Sequence, residues 1–211
     1  MFRKSVVIKA PKLRMKKASS DYKSIWFFCF LVCGVIFGVM LSAKGGDNWH
    51  HFFKTLILNH ITARQNATKL IQLCGVFAPL MLLLVAEYIF GLCGVGLPFI
   101  YLTLLAFGVY SGLSGAEYYC DFALKGLAVY SCVNLPCNAI AAATLIKCSC
   151  YSSQLSNYIF SLLFHPKIDR KDNILKEYSI KYIGLAIPLI IGSFLNCASF
   201  EIFGRLFGFF G

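Results

Sequence analysis

The chain has 211 residues, of which 58% are hydrophobic and 14% charged, with a mean hydropathy of +0.70 and a formal net charge of +11. Soluble domains average roughly 25% charged residues. This composition therefore excludes an ordinary water-facing domain and makes lipid the natural solvent. Apolar runs of spanning length fill residues 24–204, and stretches of about 20 such residues mark membrane helices. The expected fold class is all-α, a polytopic integral membrane bundle. It divides into a basic N-terminal tail, residues 1–23, and one membrane domain, residues 24–211.

The positive charge is concentrated at the start. Arg3, Lys4, Lys9, Lys12, Arg14, Lys16, Lys17 and Lys23 stand against Asp21 alone before residue 24. Next to a membrane span, this reads as a cytoplasmic flank against anionic headgroups, not a nucleic-acid site. Residues 24–43 form the first span, an uncleaved signal anchor with its N-terminus inside. Gly34 and Gly38 within it have the G-x-x-x-G spacing that permits close helix contact.

Residues 44–69 are the sizeable loop that this orientation places outside. Trp49, Phe52, Phe53, Leu56, Ile57 and Ile61 recur there at helical spacing, which predicts an amphipathic helix over 49–61. It either lies flat in the headgroups or presents Trp49, Phe52, Phe53 and Leu56 to a partner. Residues 70–92 form the second span, with Pro79 inside it and Glu87 near its inner end. Gly94, Gly96 and Pro98 mark a turn. Residues 97–116 form the third span, where Gly108, Gly112 and Gly115 give a smooth face for a neighbouring helix.

Glu117, Asp121 and Lys125 are four apart, so they stack on one helix face, with Asp121 placed to pair with Lys125. Asn134, Pro136 and Asn138 follow. Proline removes a backbone donor, so the expectation is a bent or broken helix between residues 120 and 147, with asparagine amides able to serve freed groups. Lys147 ends this apolar run and reaches for the interface. Residues 120–147 count as one span if unbroken. Residues 151–164 are either an interfacial helix or the end of a span. Residues 165–181 carry a positive excess and belong inside. Residues 182–200 form the last span. The count is five crossings, or six if Pro136 divides the fourth. In the five-span arrangement Glu87 and Lys147 share the inner leaflet and are candidates to pair.

The ten cysteines contain no C-x-x-C, and the external loop contains none, so they read as small buried thiols without a disulfide framework. No metal or cofactor site is expected. No phosphate-binding loop, zinc-protease motif or nucleophile elbow is present. Within the apolar zone, the close acids Glu117 and Asp121 have Lys125 beside them, which favours charge pairing over shared-proton chemistry. The chain reads as a non-enzyme.

Glycine and proline signatures carry one resemblance. The run GVGLPFIYL, then FGVYSGLSGAEYY, then Lys125-Gly126, then Leu135-Pro136 with Asn138, is similar to the stage II sporulation protein M family of small polytopic bacterial membrane proteins. The resemblance implies a non-catalytic scaffold at the sporulation septum. In that role it would recruit two cell-wall hydrolases, stage II sporulation proteins D and P, for engulfment. It also implies architectural roles for Gly112, Gly115, Lys125, Gly126, Pro136 and Asn138. The rival from the residues alone is a small permease or transporter subunit, built on Glu117, Asp121, Lys125 and a helix broken at proline.

Overall fold

A computed structural model of the protein describes residues 17–44, Thr55, 68–164 and 174–206, with the side chains of residues 17–21, 121, 164 and 204–206 outside that description. Apart from Thr55, the expected amphipathic segment 49–61, with Trp49, Phe52, Phe53 and Leu56, lies outside the described residues, as does the basic stretch 165–173.

The described chain is helical throughout and holds five helices long and apolar enough to cross a membrane. Helix α1 covers Lys17–Lys44 and α2 covers Lys69–Leu92. A single helical run, Leu97–Phe164, contains two spans, α3 (Leu97–Cys120) and α4 (Phe122–Leu163), and α5 covers Ile174–Leu206. The protein is thus a multi-pass membrane helix bundle. The first and last helices both begin earlier than the apolar runs 24–43 and 182–200 suggest.

The largest departure concerns the fourth span. The backbone breaks at Ala123, which has φ 51° and ψ −136°, and the helix runs straight through Pro136. The hydrogen bond from Tyr130 OH to the Ser111 carbonyl and the packing of Tyr118 on Tyr130 bring α4 back along α3. The two spans form a helical hairpin with almost no loop. Pro136 removes the donor that the Cys132 carbonyl would otherwise take, yet the helix continues through it; one residue further on, Asn196 of α5 donates to the Val133 carbonyl at 3.0 Å. Lipid offers no such donor, so an unserved carbonyl there would be costly.

With 42 residues, α4 is roughly 60 Å long at 1.5 Å per residue, twice the ~30 Å hydrocarbon core. The segment 151–164, expected as a separate piece, is the continuation of this helix. There Ser156 donates to the Cys93 carbonyl at the α2–α3 turn, and Tyr178, near the start of α5, donates to the Tyr88 carbonyl. The α2–α3 turn, the end of α4 and the start of α5 therefore share one end of the bundle. At the other end Lys69 pairs with Glu201 at 3.2 Å, and Ser42 bonds Glu117 at 2.8 Å. Helices α1 and α3 run parallel, with Phe27 on Tyr101 at one end and Ser42 on Glu117 at the other. This arrangement puts the start of α1 at the same end as the end of α4 and the start of α5. The Lys69–Glu201 pair is solvent-accessible on both sides, so Lys69→Ala is expected to lower stability by less than about 1 kcal/mol, read by thermal unfolding in detergent.

The main apolar core joins Phe27 and Leu31 of α1, Leu80 and Leu84 of α2, Ile100, Leu104 and Phe107 of α3, Ala141 and Leu145 of α4 and Leu189 of α5. A smaller cluster near the hairpin joins Tyr118, Val129, Tyr130, Val133 and Phe200. None of the ten cysteines is in a disulfide, and only Cys137, Cys148 and Cys150 are buried; Cys29, Cys33, Cys74, Cys93 and Cys120 face outward.

Candidate functional site

Three polar clusters sit inside the bundle, and each ties helices together. The first surrounds Glu87, whose side chain is 0% exposed. Its Oε1 lies 2.8 Å from Ser149 Oγ and 3.3 Å from Thr103 Oγ1. Its backbone carbonyl accepts from Ser152 at 3.0 Å. The Ser152 hydroxyl also bonds Tyr182 and, at 3.1 Å, Tyr178. Tyr182 donates to the Cys148 carbonyl at 3.2 Å, and Tyr88 bonds Ser179 at 3.0 Å. Hydroxyls from α4 and α5 therefore close on the lower half of α2. Glu87 was expected to pair with Lys147; instead Lys147 is exposed, and hydroxyls take its place at the carboxylate. The serines at 149, 152, 153 and 156 are all buried. Their i, i+3, i+4, i+7 spacing is one helix face, a signal that hydropathy alone conceals because serine scores as polar filler.

The second cluster is at the opposite end. Glu117 is 1% exposed and accepts from Ser42 at 2.8 Å. The expected stack of Glu117, Asp121 and Lys125 on one face does not form, because the break at Ala123 falls between Asp121 and Lys125. Glu117 belongs to α3 and turns to α1, while Lys125 starts α4 and is exposed. The Asp121 side chain, and with it the Asp121–Lys125 pair, lies outside the described residues.

The third cluster sits on the α3–α4 seam. Tyr130 OH lies 2.8 Å from the Ser111 carbonyl, and Asn138 Nδ2 reaches Ser111 Oγ at 3.4 Å and Tyr130 OH at 3.3 Å. Asn134 accepts from Asn196 at 3.2 Å. Tyrosine 130, not singled out from sequence, is the hub, and Asn138 is its weaker partner. Tyr130→Phe removes the hydroxyl that bonds the Ser111 carbonyl and Asn138 and is expected to cost about 1 kcal/mol, more than Asn138→Leu, when both are compared by thermal unfolding.

Two cavities flank this seam. One of about 690 Å³ lies against α1, α3 and α4, with Ser42, Gly112, Gly115, Tyr130 and Asn138 in its wall. The other, about 590 Å³, has Pro79, Tyr110, Asn134, Asn138 and Asn196 around it. Neither is lined by Glu87, Glu117 or Lys125.

The glycines expected to pack do so, against two different partners. Gly108 and Gly112 meet the backbone of Leu31 and Val35 on α1, as Gly34 and Gly38 meet that of Leu105 and Val109 on α3, whereas Gly115 faces the ring of Tyr130. Gly126 is buried where the hairpin closes on the Tyr118 carbonyl. Among the described residues no group of three or more His, Cys, Asp and Glu side chains is arranged to hold a metal ion. Neither a family model, nor a curated protein, nor a solved structure matches the chain.

Proposed function

We propose that this protein is a non-catalytic membrane scaffold that offers its external face and lateral helix surfaces to wall-remodelling partners. One observation carries the reading: the three polar clusters inside the bundle each join helices. Ser42 with Glu117, Asn196 with Val133, Ser152 with Tyr178, and Tyr130 with Ser111 each link two helices. An intramembrane polar group is expected to mark a functional path or a packing bond, and here the bonds are with neighbouring helices.

The finer assignment rests on the resemblance across residues 94–145 to stage II sporulation protein M. In that reading the protein acts at the sporulation septum and recruits stage II sporulation proteins D and P. Residues 49–61, with Trp49, Phe52, Phe53 and Leu56, form the contact surface. The basic segments before residue 24 and around residues 165–181 then lie in the cytoplasm by the positive-inside rule, and the C-terminus lies outside.

The rival reading, a small permease, draws on the amide-lined cavity beside Asn134, Asn138 and Asn196. The two separate cleanly. Tagged protein from sporulating cells is expected to bring down both hydrolases, and Trp49→Ala with Phe53→Ala to lose them while the protein level holds. Recovery of neither hydrolase sinks the scaffold. Solute flux in reconstituted vesicles that vanishes on neutralising Lys125 or Asp121, with the fold intact, would establish the permease.

A further inference from the structure

Glu87 presents an unsolved problem in charge. Its carboxylate is fully buried in α2, and its Oε2 has no hydrogen-bond partner. Among the described residues the ion pairs are Lys69–Glu201 and Lys181–Glu177, so no lysine or arginine answers this carboxylate. An isolated charge in such a medium is strongly disfavoured unless something positive sits beside it.

The neighbours are oxygen atoms with somewhere else to send their hydrogens. Ser149 Oγ lies 2.8 Å from Glu87 Oε1 and also 2.9 Å from the Leu145 carbonyl. Thr103 Oγ1 lies 3.3 Å from the same Oε1 and 2.8 Å from the Ile100 carbonyl. If each hydroxyl turns its single hydrogen to its own helix carbonyl, its lone pairs face the carboxylate. Ser149 Oγ of α4 and Thr103 Oγ1 of α3 then both turn lone pairs to the Glu87 carboxylate of α2, whose Oε2 has no hydrogen-bond partner. Hard cations take such oxygen ligands.

We propose that Glu87, Thr103 and Ser149 form a binding site for a small monovalent cation, sodium, that locks α2 to α3 and α4. A single carboxylate neutralises one positive charge. A divalent ion would leave an excess charge in the hydrocarbon, and the short oxygen separations favour a small ion over potassium. The site is independent of what the scaffold recruits.

The test uses the full-length protein purified in detergent, at fixed pH and ionic strength, with sodium chloride exchanged against potassium or N-methylglucamine chloride. Thermal stability is expected to rise with sodium, saturate, and rise less with potassium. Ser149→Ala and Thr103→Val keep the carboxylate but each delete a ligand. Each is expected to raise the sodium concentration at half-effect by about tenfold or more. Glu87→Gln is expected to abolish the response. Ser193→Ala, at a buried hydroxyl bonded to its own helix carbonyl at Leu189, is expected to leave it unchanged. If Glu87→Gln fails to fold, the two hydroxyl variants decide the matter. Equal stability in all three salts overturns the proposal, as does a sodium response that survives both hydroxyl changes. So does stability that follows pH but ignores sodium, which would make the carboxyl's companion a proton.

Discussion

Gly112→Leu is expected to separate α1 from the rest of the bundle and to be the most damaging single change in α3. A Cβ at Gly112 would fall inside the contact distance of the Val35 carbonyl oxygen, 2.9 Å from the Val35 carbonyl carbon and 3.0 Å from its Cα. Every blocking atom is backbone, so no side chain can swing aside. The obstruction is mutual along the seam, because a Cβ at Gly34 would stand 3.1 Å from the Gly108 Cα, and one at Gly38 would stand 2.9 Å from the Leu113 nitrogen. In lipid there is little hydrophobic drive to bring two helices together, so close backbone contact across small residues supplies most of the attraction. Forcing the helices apart forfeits that contact along the whole seam. The loss is expected to reach or exceed the roughly 3 kcal/mol upper end of ordinary overpacking. It should be seen as a large drop in thermal unfolding temperature and in the amount of protein recovered from membranes. Gly75→Leu is the control. Nothing lies within 4 Å of a Cβ there, so stability should hold to within about 0.5 kcal/mol. Equal tolerance at both positions would mean that α1 does not dock on α3 through these glycines.

How far the sequence foretold this architecture depends on the kind of signal. Hydropathy identified the spans because in lipid the composition of a segment and its environment are nearly the same fact. The glycines at 34, 38, 108 and 112 were legible as a smooth surface because spacing reports a helix face directly. Which face met which was not written there, and Gly115 turned out to lie on Tyr130 instead of α1. Proline misled. Pro136 looked like a point of fracture, but the helix continues through it, and Asn196, which bonds the Val133 carbonyl beside it, sits 63 residues from Val133 in the chain. The true break, at Ala123, has no local signature, since alanine is the best helix former. The polar interior was half legible. Glu87 and Glu117 were visible as charges in apolar runs, yet their partners are serines and a threonine, which are indistinguishable from filler until the helices are placed. The stripe at 149, 152, 153 and 156 was readable in principle by its period.

The hairpin itself yields the other large effect, with opposite signs at residues 123 and 126. Ala123 holds φ 51° and ψ −136°, a positive-φ conformation outside the left-handed helical well that glycine adopts readily and that costs an L-residue roughly 1–3 kcal/mol. Ala123→Gly removes that cost and is expected to stabilise by about 1 kcal/mol, the gain being trimmed by the greater freedom of glycine in the unfolded chain. Gly126→Ala does the reverse. Its methyl group would collide with the Tyr118 carbonyl oxygen and stand 2.8 Å from the Phe122 Cβ and 2.9 Å from the Tyr118 carbonyl carbon. Closing the hairpin would then require the end of α3 to move away from the start of α4. That movement pulls Tyr118 off Tyr130, whose rings now lie 5.7 Å apart, and loosens the cluster that includes Val129, Val133 and Phe200. A loss of about 3 kcal/mol or more is expected. Because both positions belong to one turn, their effects should not add. Ala123→Gly placed on Gly126→Ala should recover more than it contributes alone, since a freer residue 123 lets the turn widen around the new methyl. Thermal unfolding of the two single variants and the double variant measures this directly. Strict additivity, or a destabilising Ala123→Gly, would show that the reversal of the chain is made elsewhere than at residues 123–126.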